Sequence, residues 1–142
     1  MKEFITFTSL ENPICGFREA QKLQKIGFPS PIQHTPGLCW YVEKEGIIFV
    51  ERDKKPQNGI YIPSIFDLLR MLPDAELRYS HYRSEWIVNV YKIGPINLIE
   101  EFFGYQMRGK NPANVLARAI IREHKDGKLI FPRITASAEY QW

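Results

Sequence analysis

Three residues in this chain form the plausible set for a nucleophile and its base: Cys15, Cys39 and His34. A thiol becomes a useful nucleophile when a neighbouring histidine or a helix N-terminus lowers its pKa. Cys15 stands near the expected start of a helix, and His34 lies in a proline-rich loop able to fold over it. The plainer reading makes both cysteines small buried apolar groups, with Cys39 opening a strand beside Trp40. Nothing in their spacing requires a disulfide. Tetrahedral zinc needs paired ligands at short spacing, such as C-x-x-C, and the chain has no such pair.

A second group of chemistry-bearing side chains lies in RYSHYRSEW: Arg78, His81, Tyr82, Arg83 and Trp86. Guanidinium groups hold phosphate and exposed rings stack on bases, which together serve a single-stranded nucleic acid. The alternative is a solvated hairpin tip whose rings cover their own sheet. Charge does not decide between them. Lys and Arg number 19 and Asp and Glu 16, giving +3. Residues 1–71 carry nine basic and eight acidic groups, and residues 72–142 carry ten and eight. A dedicated DNA binder concentrates its basic groups more than this. Glu100 and Glu101 point to opposite sides of any strand, so they do not share a substrate there. Glycine-rich phosphate loops of the G-x-G-x-x-G or G-x-x-x-x-G-K-S/T type are absent from the sequence.

The elements that must carry these groups follow from periodicity and punctuation. EFITFT (3–8) alternates like a short strand. Asn12-Pro13 signals a helix start, and Ala20, Leu23 and Ile26 recur at helical spacing before Gly27, predicting a helix over 14–26. PSPIQHTPG is a loop. Residues 38–43 and 47–51 flank Lys44-Glu45-Gly46 as a β-hairpin. Residues 60–63 are extended, and Ser64-x-x-Asp67 opens a short helix over 65–72 that stops at Pro73. Residues 76–82 and 85–93 form a second hairpin around Arg83-Ser84. Residues 96–107 fit a helix or a strand, and Gly104 with Phe102-Phe103 favours a strand. Asn111-Pro112 opens the last helix, with Ala113, Leu116, Ala117, Ile120 and Ile121 as its apolar stripe and Asp126-Gly127 as its stop.

Hairpin-joined strands interspersed with about three helices predict an α+β fold, an antiparallel sheet of two hairpins plus extra strands with the helices packed on it. Leu69, Trp86, Val88, Leu116 and Ile120 are expected in one core. The 142 residues are 44% hydrophobic and 25% charged, an ordinary globular composition that excludes disorder, collagen and a coiled coil. One domain over 1–142 is expected. The tail over 128–142 is rich in apolar and aromatic groups (Ile134, Tyr140, Trp142), and is expected to dock on its own domain or on a second copy. No apolar run is long enough to span a bilayer, and MKEFITFTSL does not read as a signal peptide, so no membrane partner and a cytoplasmic location are expected.

The runs REAQKLQKIGF, IYIPSIFDLLRMLP, EWIVNVYK and NPANVLARAII together resemble small, mostly uncharacterised proteins of bacteriophages, prophages and mobile elements of gut-type bacteria. The resemblance covers about residues 17–125 and rests on caps and core positions. It implies a fold and an accessory role, and it carries no catalytic residue. The functional expectation is a non-catalytic binding protein with no cofactor, its partner a protein or a second copy of itself. A single-strand-binding module built on Arg78, His81, Tyr82, Arg83 and Trp86 is the alternative, and a small cysteine-dependent enzyme is a third reading.

Overall fold

The most strongly specified element is the last helix. Asn111 caps it, its Oδ1 accepting from the amides of Ala113 (2.9 Å) and Asn114 (3.3 Å), and Pro112 takes the first turn, where a missing N–H costs nothing. In the computed structural model, which describes residues 14–31, 37–72, 74–93 and 101–131, this helix runs Pro112–Lys125. The described elements in chain order are α1 (Phe17–Lys25), β1 (Cys39–Lys44), β2 (Ile47–Arg52), β3 (Ile60–Ile62), α2 (Ile65–Met71), β4 (Ala75–Ser80), β5 (Glu85–Ile93), β6 (Glu101–Gly109) and α3 (Pro112–Lys125).

The α+β class and both antiparallel hairpins are as the sequence predicts, but the strands divide into two three-stranded sheets, ordered β2-β1-β3 and β4-β5-β6. The division has a local cause. β3 is three residues long and runs into Pro63, which has no N–H to donate, and Ser64 at once caps α2 by accepting from the Asp67 amide at 3.1 Å. The ladder therefore ends before β4 begins. β1 lies between two partners, and Cys39, Trp40, Tyr41 and Val42 are all buried. Its hairpin to β2 turns through Glu45 (φ 53°) and Gly46 (φ 78°), a two-residue loop with both φ positive that matches strand twist.

α3 packs on β5 and β6 with one side and on α1 and α2 with the other, and α1 in turn reaches β3. Ala113, Val115, Leu116, Ala117, Ala119 and Ile120 are fully buried, in one apolar cluster that also holds Val88 and Val90 of β5 and Tyr41 and Ile62 of the other sheet. Among the five expected core residues, Leu116, Ile120 and Val88 are fully buried, whereas Leu69 and Trp86 are half-buried.

The first helix begins at Phe17, not at residue 14. Ile14, Cys15 and Gly16 are held extended because α3 takes their polar groups: Asn111 Nδ2 donates to the Ile14 carbonyl (2.8 Å) and the Gly16 amide donates to Asn114 Oδ1 (2.6 Å). The Tyr41 hydroxyl donates to the Cys15 carbonyl at 2.6 Å from the other side. Residues 96–107 resolve in favour of the strand from Glu101 onward. The strand expected over 3–8, residues 96–100, His34 and the tail beyond Phe131 lie outside the described residues.

Two substitutions test the central helix. Leu116→Ala is expected to lower unfolding free energy by about 2–5 kcal/mol. Asn111→Ala removes a cap worth about 0.5–2 kcal/mol and orphans the Ile14 carbonyl, so its cost should exceed that of an ordinary cap. Urea melts read both, and unchanged midpoints would remove α3 from the core.

Candidate functional site

Cys15 and Cys39 are both free. Cys15 is fully buried, and burial, with the negative charge of Glu19 adding to it, pushes its thiol up to about 12. Cys39 is also raised by burial; Arg52, whose Nη1 donates to its Sγ at 3.3 Å, opposes that and Asp53 reinforces it. Cys39 and Arg52 line a cleft of about 460 Å³ with Tyr61 and the exposed Phe66. A nucleophilic thiol requires a lowered pKa, and both of these move the other way.

The second hairpin turns through four residues, His81 to Ser84, because the Arg83 amide donates to Ser80 Oγ (3.2 Å) and Ser84 takes φ 53°. Trp86 therefore pairs with Tyr79 across the ladder. That register places Tyr79 and Trp86 on the face that carries Leu77 and Val88 toward α3, and Arg78, paired with Ile87, on the opposite face. Tyr79 gathers Trp86 (5.1 Å) and His81 (4.9 Å) edge-on. The structure thus brings His81 and Trp86 together around Tyr79 and sets Arg78 apart from them. Tyr82, at 94% exposure, and Arg83 stand out in solvent at the turn.

The outward face of the second sheet is closed by its own polar ladder. Gln106 donates to Asn89 Oδ1 (2.9 Å), Asn89 donates to Glu76 Oε1 (3.1 Å), and the Tyr91 hydroxyl donates to the same oxygen (2.7 Å). The bonds from Tyr91 and then Asn89 lower the Glu76 carboxyl below its ordinary value.

The inward face opens instead into a cleft of about 360 Å³ at the C-terminal end of α3. A register shift between Val90 and Tyr91 loosens the β5–β6 ladder there. Gly104 sits opposite, where a Cβ would stand 2.7 Å from the Val90 carbonyl oxygen and 3.5 Å from Lys92 Cγ, so only glycine permits this approach. The walls are mainly apolar. Glu123, only 4% exposed, reaches the cleft from α3, and the Tyr105 hydroxyl donates to its Oε2 at 2.7 Å. Arg122 lies 3.8 Å above the Tyr105 ring. Burial, then the bond to Glu123 and its charge, raise the Tyr105 hydroxyl well above the usual phenol range. Lys92 from β5 and Lys128, just past the helix, complete the lining among the described residues.

Reading for known motifs misses Glu123 and Tyr105. The available signal was positional: Glu123 follows Ile120 by three residues and so continues the buried stripe of α3, where a carboxylate is out of place.

Two measurements check the electrostatics. Below pH 9 the Cys15 thiol is protonated whether the chain is folded or not; above it the unfolded chain ionises first, so stability should fall as pH rises toward 12. Cys15→Ala should flatten that alkaline limb, and rapid alkylation of Cys15 in the native protein at neutral pH would refute the assignment. Tyr105→Phe leaves the buried Glu123 without its donor and should cost about 1–3 kcal/mol in thermal or urea melts. No loss would mean that water or a neighbour already serves that carboxylate.

No family model, no curated protein and no solved structure matches this chain.

Proposed function

We propose that this protein acts by binding and not by catalysis, and that it seats an apolar group in the cleft between α3 and the β5–β6 ladder. The observation that carries this reading is the cleft itself: about 360 Å³, mainly apolar walls, and one buried carboxylate held by one tyrosine. That combination is the usual build of a site that recognises a group of a ligand by shape and orients it by a few polar contacts. The raised thiols of Cys15 and Cys39 argue against a cysteine nucleophile.

The partner that fits the sequence is a protein presenting such a group. Self-association through the tail over 128–142, a cytoplasmic location and an accessory role like that of phage or mobile-element proteins belong to the same proposal. Among the described residues no helix is long and apolar enough to cross a membrane. Single-stranded nucleic acid is the second reading, and one observation favours it: Tyr82 and Arg83 are adjacent and exposed at the hairpin turn.

Amide NMR spectra separate the two. Millimolar 1-hexanol, a neutral apolar probe, should shift Val90, Gly104, Tyr105 and Lys128 and leave Tyr82 unmoved. A random-sequence oligonucleotide at physiological salt should shift nothing. Shifts centred on Tyr82 and Arg83 with the oligonucleotide would move the function to nucleic acid, and a cleft silent both to hexanol and to charged probes of the same length would sink the cleft reading.

A further inference from the structure

The cleft between α3 and the second sheet has a charge pattern that its apolar walls do not explain. Glu123 is 4% exposed, and a carboxylate offers about four lone-pair sites. Among the described residues only the Tyr105 hydroxyl occupies one, and no cation pairs with it. Arg122, the nearest guanidinium in sequence, is committed elsewhere, to Asp126 at 3.8 Å and to the Tyr105 ring. Buried carboxylates are seldom left so poorly partnered.

Two further charges lie around the same cleft, with the opposite sign. Lys92 and Lys128 are exposed, one from the sheet and one from beyond the helix, and neither forms an ion pair among the described residues. Val90, Tyr91 and Gly104 provide the wall alongside them. An anion set deep and cations set in solvent reject both simple classes of charged ligand. A plain amine meets the lysines first, and a plain carboxylate or fatty acid meets Glu123 when it enters.

Resting on the reading of this cleft as the binding site, we infer that it is built for an ω-amino carboxylate: an ammonium group, an apolar spacer and a carboxylate at the other end. The ammonium donates to Glu123, the methylene spacer lies against the apolar wall, and the carboxylate meets Lys92 and Lys128. A free ω-amino acid and the C-terminal lysine of a partner protein both present this chemistry.

Calorimetry and amide NMR on the full chain test it with four probes of one length: 6-aminohexanoate, hexanoate, hexylamine and 1-hexanol. The zwitterion should bind at least about tenfold more tightly than any of the other three. Glu123→Gln keeps the size and an acceptor for Tyr105; it should weaken 6-aminohexanoate and hexylamine and spare hexanoate. Lys92→Met with Lys128→Met should weaken 6-aminohexanoate and hexanoate and spare hexylamine. The wild-type ranking decides the matter even if a variant fails to fold. A peptide ending in lysine that binds with a free terminus and not as its amide assigns the ligand to a protein; binding of 6-aminohexanoate without the peptide assigns it to a free molecule, and either result supports the inference. If 1-hexanol seats in the cleft as tightly as the zwitterion, the inference is overturned and the cleft reading stands. If no probe perturbs the cleft, both fall.

Discussion

Helix α3 is buried over more than half of its circumference, with Arg118, Arg122 and Lys125 left in solvent, and the rest of the architecture answers to that. Its Leu116, Ile120 and Val115 are fully buried, each worth about 1.5–3 kcal/mol of hydrophobic free energy. No single sheet covers so wide an arc of a helix. The β4-β5-β6 sheet covers one side, and α1 and α2 cover the other, with α1 leading on to β3 of the β2-β1-β3 sheet. Ala113, Ala117 and Ala119 matter as much as the large residues, because their small side chains let neighbouring backbones come close. A helix buried this way leaves only its ends and a narrow exposed strip for polar work. Asn111 and Asn114 use one end to hold the extended segment before α1, and Glu123 occupies the other.

Much of this was legible from local signals. The Asn-Pro cap, the apolar stripe and the Gly127 stop describe α3 directly, and Ser64-x-x-Asp67 does the same for α2. The division into two sheets was not legible, because strand pairing between distant segments leaves no mark in either segment alone. It depends on Pro63 ending a three-residue strand, a detail that reads in sequence only as a turn. The neighbours of Trp86 were lost for a related reason. A two-residue turn at Arg83-Ser84 would set His81 opposite Trp86, whereas the hydroxyl of Ser80 makes a four-residue turn and sets Tyr79 there.

The site is a harder case. Glu123 looks, in a run such as IIREHK, like one more solvated charge near a helix end. Its burial depends on Tyr105 arriving from β6, and Tyr105 arrives only because Gly104 lets that strand approach the Val90 carbonyl. Three residues from two elements thus create a feature that no one of them announces. By contrast, the hairpin tip announced itself through residue types, and the register then distributed those residues over two faces.

The bonds from Asn111 and Asn114 to Ile14 and Gly16 span 97 and 98 positions. A ribosome adds about 5–20 residues per second, so these partners are made roughly 5–20 s apart. Hairpins such as β1–β2 close in about 1–10 μs once they emerge, long before that. A nascent chain therefore carries the segment before α1 without its α3 partners while most of the protein is still being synthesised, with Tyr41 as the earlier hold on it. During that interval Cys15, which is fully buried in the finished fold, is a more accessible thiol, open to oxidants and to chaperones alike.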